Sequence, residues 1–169
     1  MDNPQRLLMI ASPLMRRTPV YDRAAALANA KGIALHIVAF DYVEGLATAG
    51  LVNDQALAVM RDGYVRQHRE WLESQAQPMR RTGVTVTTEV VWVLHPLNEI
   101  LVHLREQPFA MLIKEFEHEP WWMRAMFTSL DIQLLRDTHI PLHLVHKASH
   151  ALPRKILAAV DLSRLEDQY

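Results

Sequence analysis

The sequence predicts an α/β protein: a parallel sheet of five strands with helices on both faces. Three observations carry that expectation. Short runs of apolar residues, blocked together rather than alternating, recur along the chain as expected of strands buried on both faces. Between them lie segments with apolar residues at helical steps of three and four. Strand and helix alternate throughout, which requires right-handed crossovers and parallel pairing.

RLLMIAS (6–12) is the first strand, ended by Pro13. Thr18-Pro19 offers a cap and a first-turn proline, and Val20, Ala24, Leu27 and Ala28 keep helical spacing until Gly32 stops the pattern. ALHIVAF (34–40) is the second strand. A loop of small and polar residues then leads into a long helix from about Asn53 to Gln77, with Leu57, Met60, Tyr64, His68 and Trp71 on one face. VTVTTEVVW (84–92) is rich in β-branched residues and forms the third strand. Pro96 opens a helix that buries Leu97, Ile100, Leu101 and Leu104. PFAMLI (108–113) is the fourth strand, SLDIQLLRD (129–137) a short helix and IPLHLVH (140–146) the fifth strand.

Composition narrows the function. The 169 residues are half apolar and 22% charged, as expected of a folded domain with a sizeable core. A net charge of −1 gives nucleic acid or an anionic membrane no reason to bind. Without cysteine there is no disulfide, no thiol chemistry and no Cys-based zinc site. No apolar run has the roughly 18 residues of a membrane span, and MDNPQR lacks a signal-peptide core, so the expected location is the cytoplasm.

Residues 148–153 read as a linker, and RKILAAVDLS after it echoes RLLMIASPL near the start. The expectation is one complete domain over 1–147, followed at 154–169 by the first strand of a truncated second copy.

The order of elements, the long second helix, EVVWVLHPLNEIL and the closing FTSLDIQLLRDTHIPLHLV resemble the universal stress protein family, and within it the N-terminal domain of the tandem E-type members. The resemblance covers roughly residues 6–147. It implies the adenine-nucleotide alpha-hydrolase-like fold, a sheet of order 3-2-1-4-5 and a ligand crevice between strands one and four, where open α/β sheets bind ligands. It also implies, for nucleotide-binding members, an Asp ending strand one and a G-x-x-G-x9-G-S/T loop after strand four. Those glycines let backbone approach phosphates at a helix N-terminus.

Carried over residue by residue, the Asp position is Ser12, the glycine positions are Glu115, His118 and Thr128, and only Ser129 matches. Every glycine is replaced, one by a carboxylate. A carboxylate about 4 Å from a phosphate charge costs on the order of a few kcal/mol at an effective dielectric near 20. The expectation is therefore no cofactor and no ATP bound in the family's manner. The alternative is a residual ATP or anion site at the helix N-terminus near Ser129, with Arg16, Arg17 and Arg124 as contacts.

Other motifs read more simply. Thr128 to Asp131 forms a capping box. Trp121, Trp122, Met123, Met126 and Phe127 are expected to fill the crevice or meet another domain, with a contact surface for an apolar ligand as the alternative. His139, His143, His146 and His150 have helix-like spacing, but Pro141 favours a strand on which His143 and His146 face opposite ways, so no metal is expected. His68 reads as a hydrogen-bonded core or boundary residue, and Glu115, Glu117 and Glu119 as a solvated loop. No G-x-S-x-G elbow and no acid–base pair is present, so no catalytic residue is expected. The resemblance implies that the fifth strand, a sheet edge, pairs with a second universal stress protein domain or with another copy of the chain.

Overall fold

In a computed structural model the described residues are 6–41, 54–116 and 130–146. They form β1 (Arg6–Ile10), α1 (Pro19–Lys31), β2 (Ala34–Asp41), α2 (Asp54–Arg81), β3 (Val86–Trp92), α3 (Pro96–Glu106), β4 (Phe109–Phe116), α4 (Leu130–Asp137) and β5 (Leu142–His146). The strands make one parallel sheet in the order β3-β2-β1-β4-β5. Chain direction across the sheet reverses between β1 and β4, so their carboxyl ends, Ile10 beside Lys114, flank the switch point.

Two apolar layers sandwich the sheet. Leu7 and Met9 of β1, Leu35, Ile37 and Ala39 of β2, and Ile113 of β4 pack against Val20, Tyr21 and Ala24 of α1 and Leu72, Ala76 and Met79 of α2. On the other face Leu8, Ile10, Val38, Phe40 and Leu112 meet Ile100 and Leu104 of α3 and Leu134 of α4. Alternate residues of each strand serve opposite layers, which is why the central strands are predominantly apolar. An irregularity between Arg6 and Leu7 skips one residue of β4, so Phe109 and Leu112 share a face despite their odd spacing.

The element order matches the sequence expectation, while several details differ. β1 ends at Ile10, β3 begins at Val86 and β5 at Leu142. β4 runs three residues past Ile113, to Phe116. Glu115 is accordingly a buried strand residue and not part of a solvated loop. α2 continues past Pro78 to Arg81, and its buried face passes through His68, Leu72, Ala76 and Met79, leaving Met60 exposed. Thr18 stands at the N-cap of α1 with extended backbone but makes no side-chain capping bond; Pro19 occupies the first turn as expected. Gly32 closes α1 in the left-handed conformation (φ 64°), where its amide reaches the carbonyls of Ala28 and Asn29.

Candidate functional site

The carboxyl ends of the strands build a crevice of about 160 Å³ at the switch point. Its described lining comes from four directions: Ile10 and the Ala11–Pro13 turn after β1, Phe40 of β2, Pro96 and Ile100 of α3, and Lys114, Glu115 and Leu130. Most of these groups are apolar. A wider depression shares Pro96 and Leu130 with it and continues along Leu94, His95 and Gln133.

Two charged residues of β4 end in this crevice. Lys114 is buried, and its Nζ lies 2.9 Å from Oδ1 of Asp131 in the first turn of α4. It also donates to the carbonyl of Glu115 at 3.1 Å. Both partners of the ion pair are almost out of water, so the geometry satisfies charge within the protein. Glu115 is buried too, and the alternation of the strand turns it toward the opposite layer, with Val145 beside it in the ladder. Its charge is felt at Tyr21 of α1. Burial above all lifts the Tyr21 hydroxyl far beyond the ordinary phenol range, with Arg17 opposing and Glu115 adding to the rise.

Of the residues expected at a ligand site, Ser12 and Glu115 line the crevice. The Ser12 hydroxyl accepts from the Leu14 amide at 3.3 Å, a local turn bond. Arg17 is pinned by Asp22, reaches Oε1 of Gln75 at 3.3 Å and lies over the Tyr21 ring. Arg16 is exposed. His118, Arg124, Thr128 and Ser129 lie outside the described residues, as do the Trp121–Phe127 patch, His150 and the 148–169 segment. Asp131, read from the sequence as half of a capping box, spends at least one oxygen on Lys114.

Lys114 was not legible as a crevice group. It follows the apolar run FAMLI and reads as the first residue of a loop; only the extension of β4 carries it inside.

A second polar cluster sits at the end of β2. One oxygen of the buried Asp41 accepts the Tyr64 hydroxyl of α2 and lies 3.2 Å from His68 Nδ1. The His68 ring is fully enclosed, as the sequence suggests, yet neither of its nitrogens has hydrogen-bond geometry: the contact with Asp41 is one of charge and proximity. Burial, followed by the bond to Asp41 and its charge, pushes the Tyr64 phenol well up. The edge of Trp92, the last residue of β3, meets the Tyr64 ring at 5.8 Å.

His143 turns toward α1 and touches the Arg23 guanidinium at 3.2 Å. Burial, then that cation, lowers its pKa. His139 and His146 are exposed. Among the described residues no group of three or more His, Asp or Glu is placed to hold a metal ion. No described helix is long and apolar enough to cross a membrane.

No family model matches the chain. Sequence similarity extends along its whole length, however, to universal stress protein E of Photorhabdus laumondii, at 26% identity over 171 residues and 100% of this chain. The chain is related to the universal stress proteins. The Escherichia coli K12 universal stress protein E is 25% identical over 96% of the chain. The chain spans about half the length of these curated relatives, 54% and 51%. A universal stress protein family structure from Burkholderia pseudomallei superposes with a TM-score of 0.59 at 17% identity, covering 84% of this chain and 96% of that one. A universal stress protein in complex with cAMP superposes with a TM-score of 0.55 at 13% identity, covering 85% and 98%. These likenesses agree with the five-stranded 3-2-1-4-5 sheet described above.

Proposed function

We propose that this chain is a non-enzymatic, cytoplasmic universal stress protein domain that acts by binding and by pairing with another such domain, its crevice no longer suited to ATP. The observation that carries this reading is the crevice floor. Lys114 and Asp131 are both buried and already joined as an ion pair, while the buried Glu115 carboxylate turns to the other layer. The lysine is already engaged by Asp131, so a phosphate arriving there would have to displace a buried carboxylate or go without that cation. The remaining described lining is mostly apolar, which gives a triphosphate few donors.

The pairing part rests on the edge strand β5 and on α4, which leads into it and leaves Ile132 and Leu135 exposed. An edge strand with apolar groups nearby favours cover by a second sheet.

The rival reading is a nucleotide or other anion at the helix N-terminus near Ser129, with Arg16 and Arg124 contributing; a cAMP-bound structure of the same fold speaks for it. A thermal-shift series with ATP, AMP and cAMP, each with and without magnesium, separates the two. A ligand at one hundred times its dissociation constant adds about 2.7 kcal/mol. The proposed reading expects no shift with any of the three; a concentration-dependent rise with one of them establishes the rival.

A further inference from the structure

On the α3 face of the sheet, away from the crevice floor, three titratable side chains from three elements converge. Oε2 of Glu89 (β3) lies 3.2 Å from Nε2 of His36 (β2) and 3.6 Å from Nε2 of His103 (α3). The far nitrogen of each ring is also held. His36 Nδ1 is 2.7 Å from the Thr87 hydroxyl, and His103 Nδ1 is 3.2 Å from the Glu99 carbonyl oxygen and 3.7 Å from its carboxylate. Both imidazoles are largely buried, whereas Glu89 keeps 43% of its side chain in contact with solvent. We infer that Glu89 is shared by His36 and His103 as a proton-operated clamp that fastens α3 to the β2–β3 half of the sheet.

The argument is one of counting donors. A neutral imidazole has a single N–H and a single bare nitrogen. His36 is satisfied in that state: its Nε2–H donates to Glu89, and its bare Nδ1 accepts from Thr87, whose hydroxyl can play either part. His103 is not. A backbone carbonyl and a carboxylate, both acceptors only, stand at its two nitrogens, so the neutral ring leaves one acceptor facing another. The imidazolium turns an N–H toward each, donating to the Glu99 carbonyl and standing in ionic contact with the Glu89 carboxylate at 3.6 Å. Proton uptake at His103 therefore closes the bridge between α3 and β3, and proton loss opens it.

The surroundings divide the two rings in the same sense. His36 is stacked on Phe109 of β4, with ring centroids 6.1 Å apart, while the edge of His103 meets Phe40 of β2 at 5.1 Å. Burial lowers the pKa of His36 most, Glu89 pulls it back up through its bond and charge, and Arg6 of β1 and His103 push it down again. Arg6 is itself tied to Gln107 and lies over the Phe109 ring. The charged groups that act on the cluster are thus Arg6, Glu89 and Glu99. By donor count, His36 is satisfied while neutral, and His103 is the ring whose added proton the geometry uses.

Histidine Cε1–H resonances of the full chain, followed by NMR from about pH 5 to 8, test the clamp. Glu89→Gln removes the shared charge with almost no change of shape at a partly exposed position. Both the His36 and the His103 midpoints should fall, by about one unit, while the exposed His95 and His139 stay where they are. His103→Gln should instead raise the His36 midpoint, because a neighbouring positive charge is lost. If Glu89→Gln leaves either midpoint unmoved while the unchanged His95 and His139 titrations report an intact fold, the carboxylate is not shared and the inference fails.

Discussion

Lys114 is a cation with almost no water around it, held by Asp131 across the boundary between β4 and α4. Removing one member of such a pair strands the other charge in a poor solvent. Lys114→Met should therefore lower stability by about 3–5 kcal/mol in urea or guanidinium unfolding. Adding Asp131→Leu to the same chain should restore a large part of the loss, since an apolar pair of similar volume needs no compensation. Equal damage from the single and the double variant would show that the ion pair has no special role. The same two residues mark the limit of what the sequence reveals about the site. Ser12 and Glu115 could be placed at the crevice by alignment with a motif, but burial at Glu115 and Lys114 comes from strand length, and a Lys-Glu pair after an apolar run reads as the end of a strand. Glu89, His36 and His103 carry no local signal at all: His36 stands 53 residues before Glu89, and the three come together only through the parallel register of β2 with β3 and the packing of α3.

At the scale of elements, apolar blocks and helical spacing were enough to place every described strand and helix, because burial on both faces of a parallel sheet leaves a strong pattern. Boundaries were harder. α2 is the clearest instance, since Pro78 reads as a stop, yet the helix continues for one more turn with Met79 and Ala76 buried against the sheet. Packing of those two side chains outweighs the missing amide hydrogen. Pro78 itself is exposed, so its ring contributes little to that packing. Pro78→Ala returns a donor that can reach the Ser74 carbonyl and relieves the ring's clash with it. It should raise stability by about 1–3 kcal/mol, reduced somewhat by the freer unfolded chain. A lower melting temperature for this variant would mean that the proline sets the entry angle of the turn into β3.

At the scale of the whole molecule, the sheet has two edges of different character. β3 is flanked by α2, whose Arg80 is bound to Glu73 and donates to the Val86 carbonyl at 2.9 Å. β5 is short and lies at the opposite margin, beside a helix with two exposed apolar side chains. Self-association or pairing through this second margin predicts a dimer in sedimentation analysis at micromolar concentration. Ile132→Lys together with Leu135→Lys should weaken it at least about tenfold by placing charge in an apolar contact. A monomer in the unsubstituted chain would sink the pairing idea. The sequence suggested this margin through topology and the family resemblance; the apolar side chains on α4 were hidden because they sit in an ordinary amphipathic pattern, and only the fold tells which of them are exposed.

One helix links the crevice to the Glu89 cluster. α3 lines the crevice with Pro96 and Ile100 in its first turns and presents His103 to Glu89 seven residues on from Pro96, about 10 Å farther along its axis. A rigid rod gripped at both ends carries information in both directions, and equilibrium thermodynamics makes the exchange symmetric. Where a guest wedged against Pro96 displaces the helix from Glu89, the hold of the clamp on its proton and the welcome the guest receives change by one and the same factor.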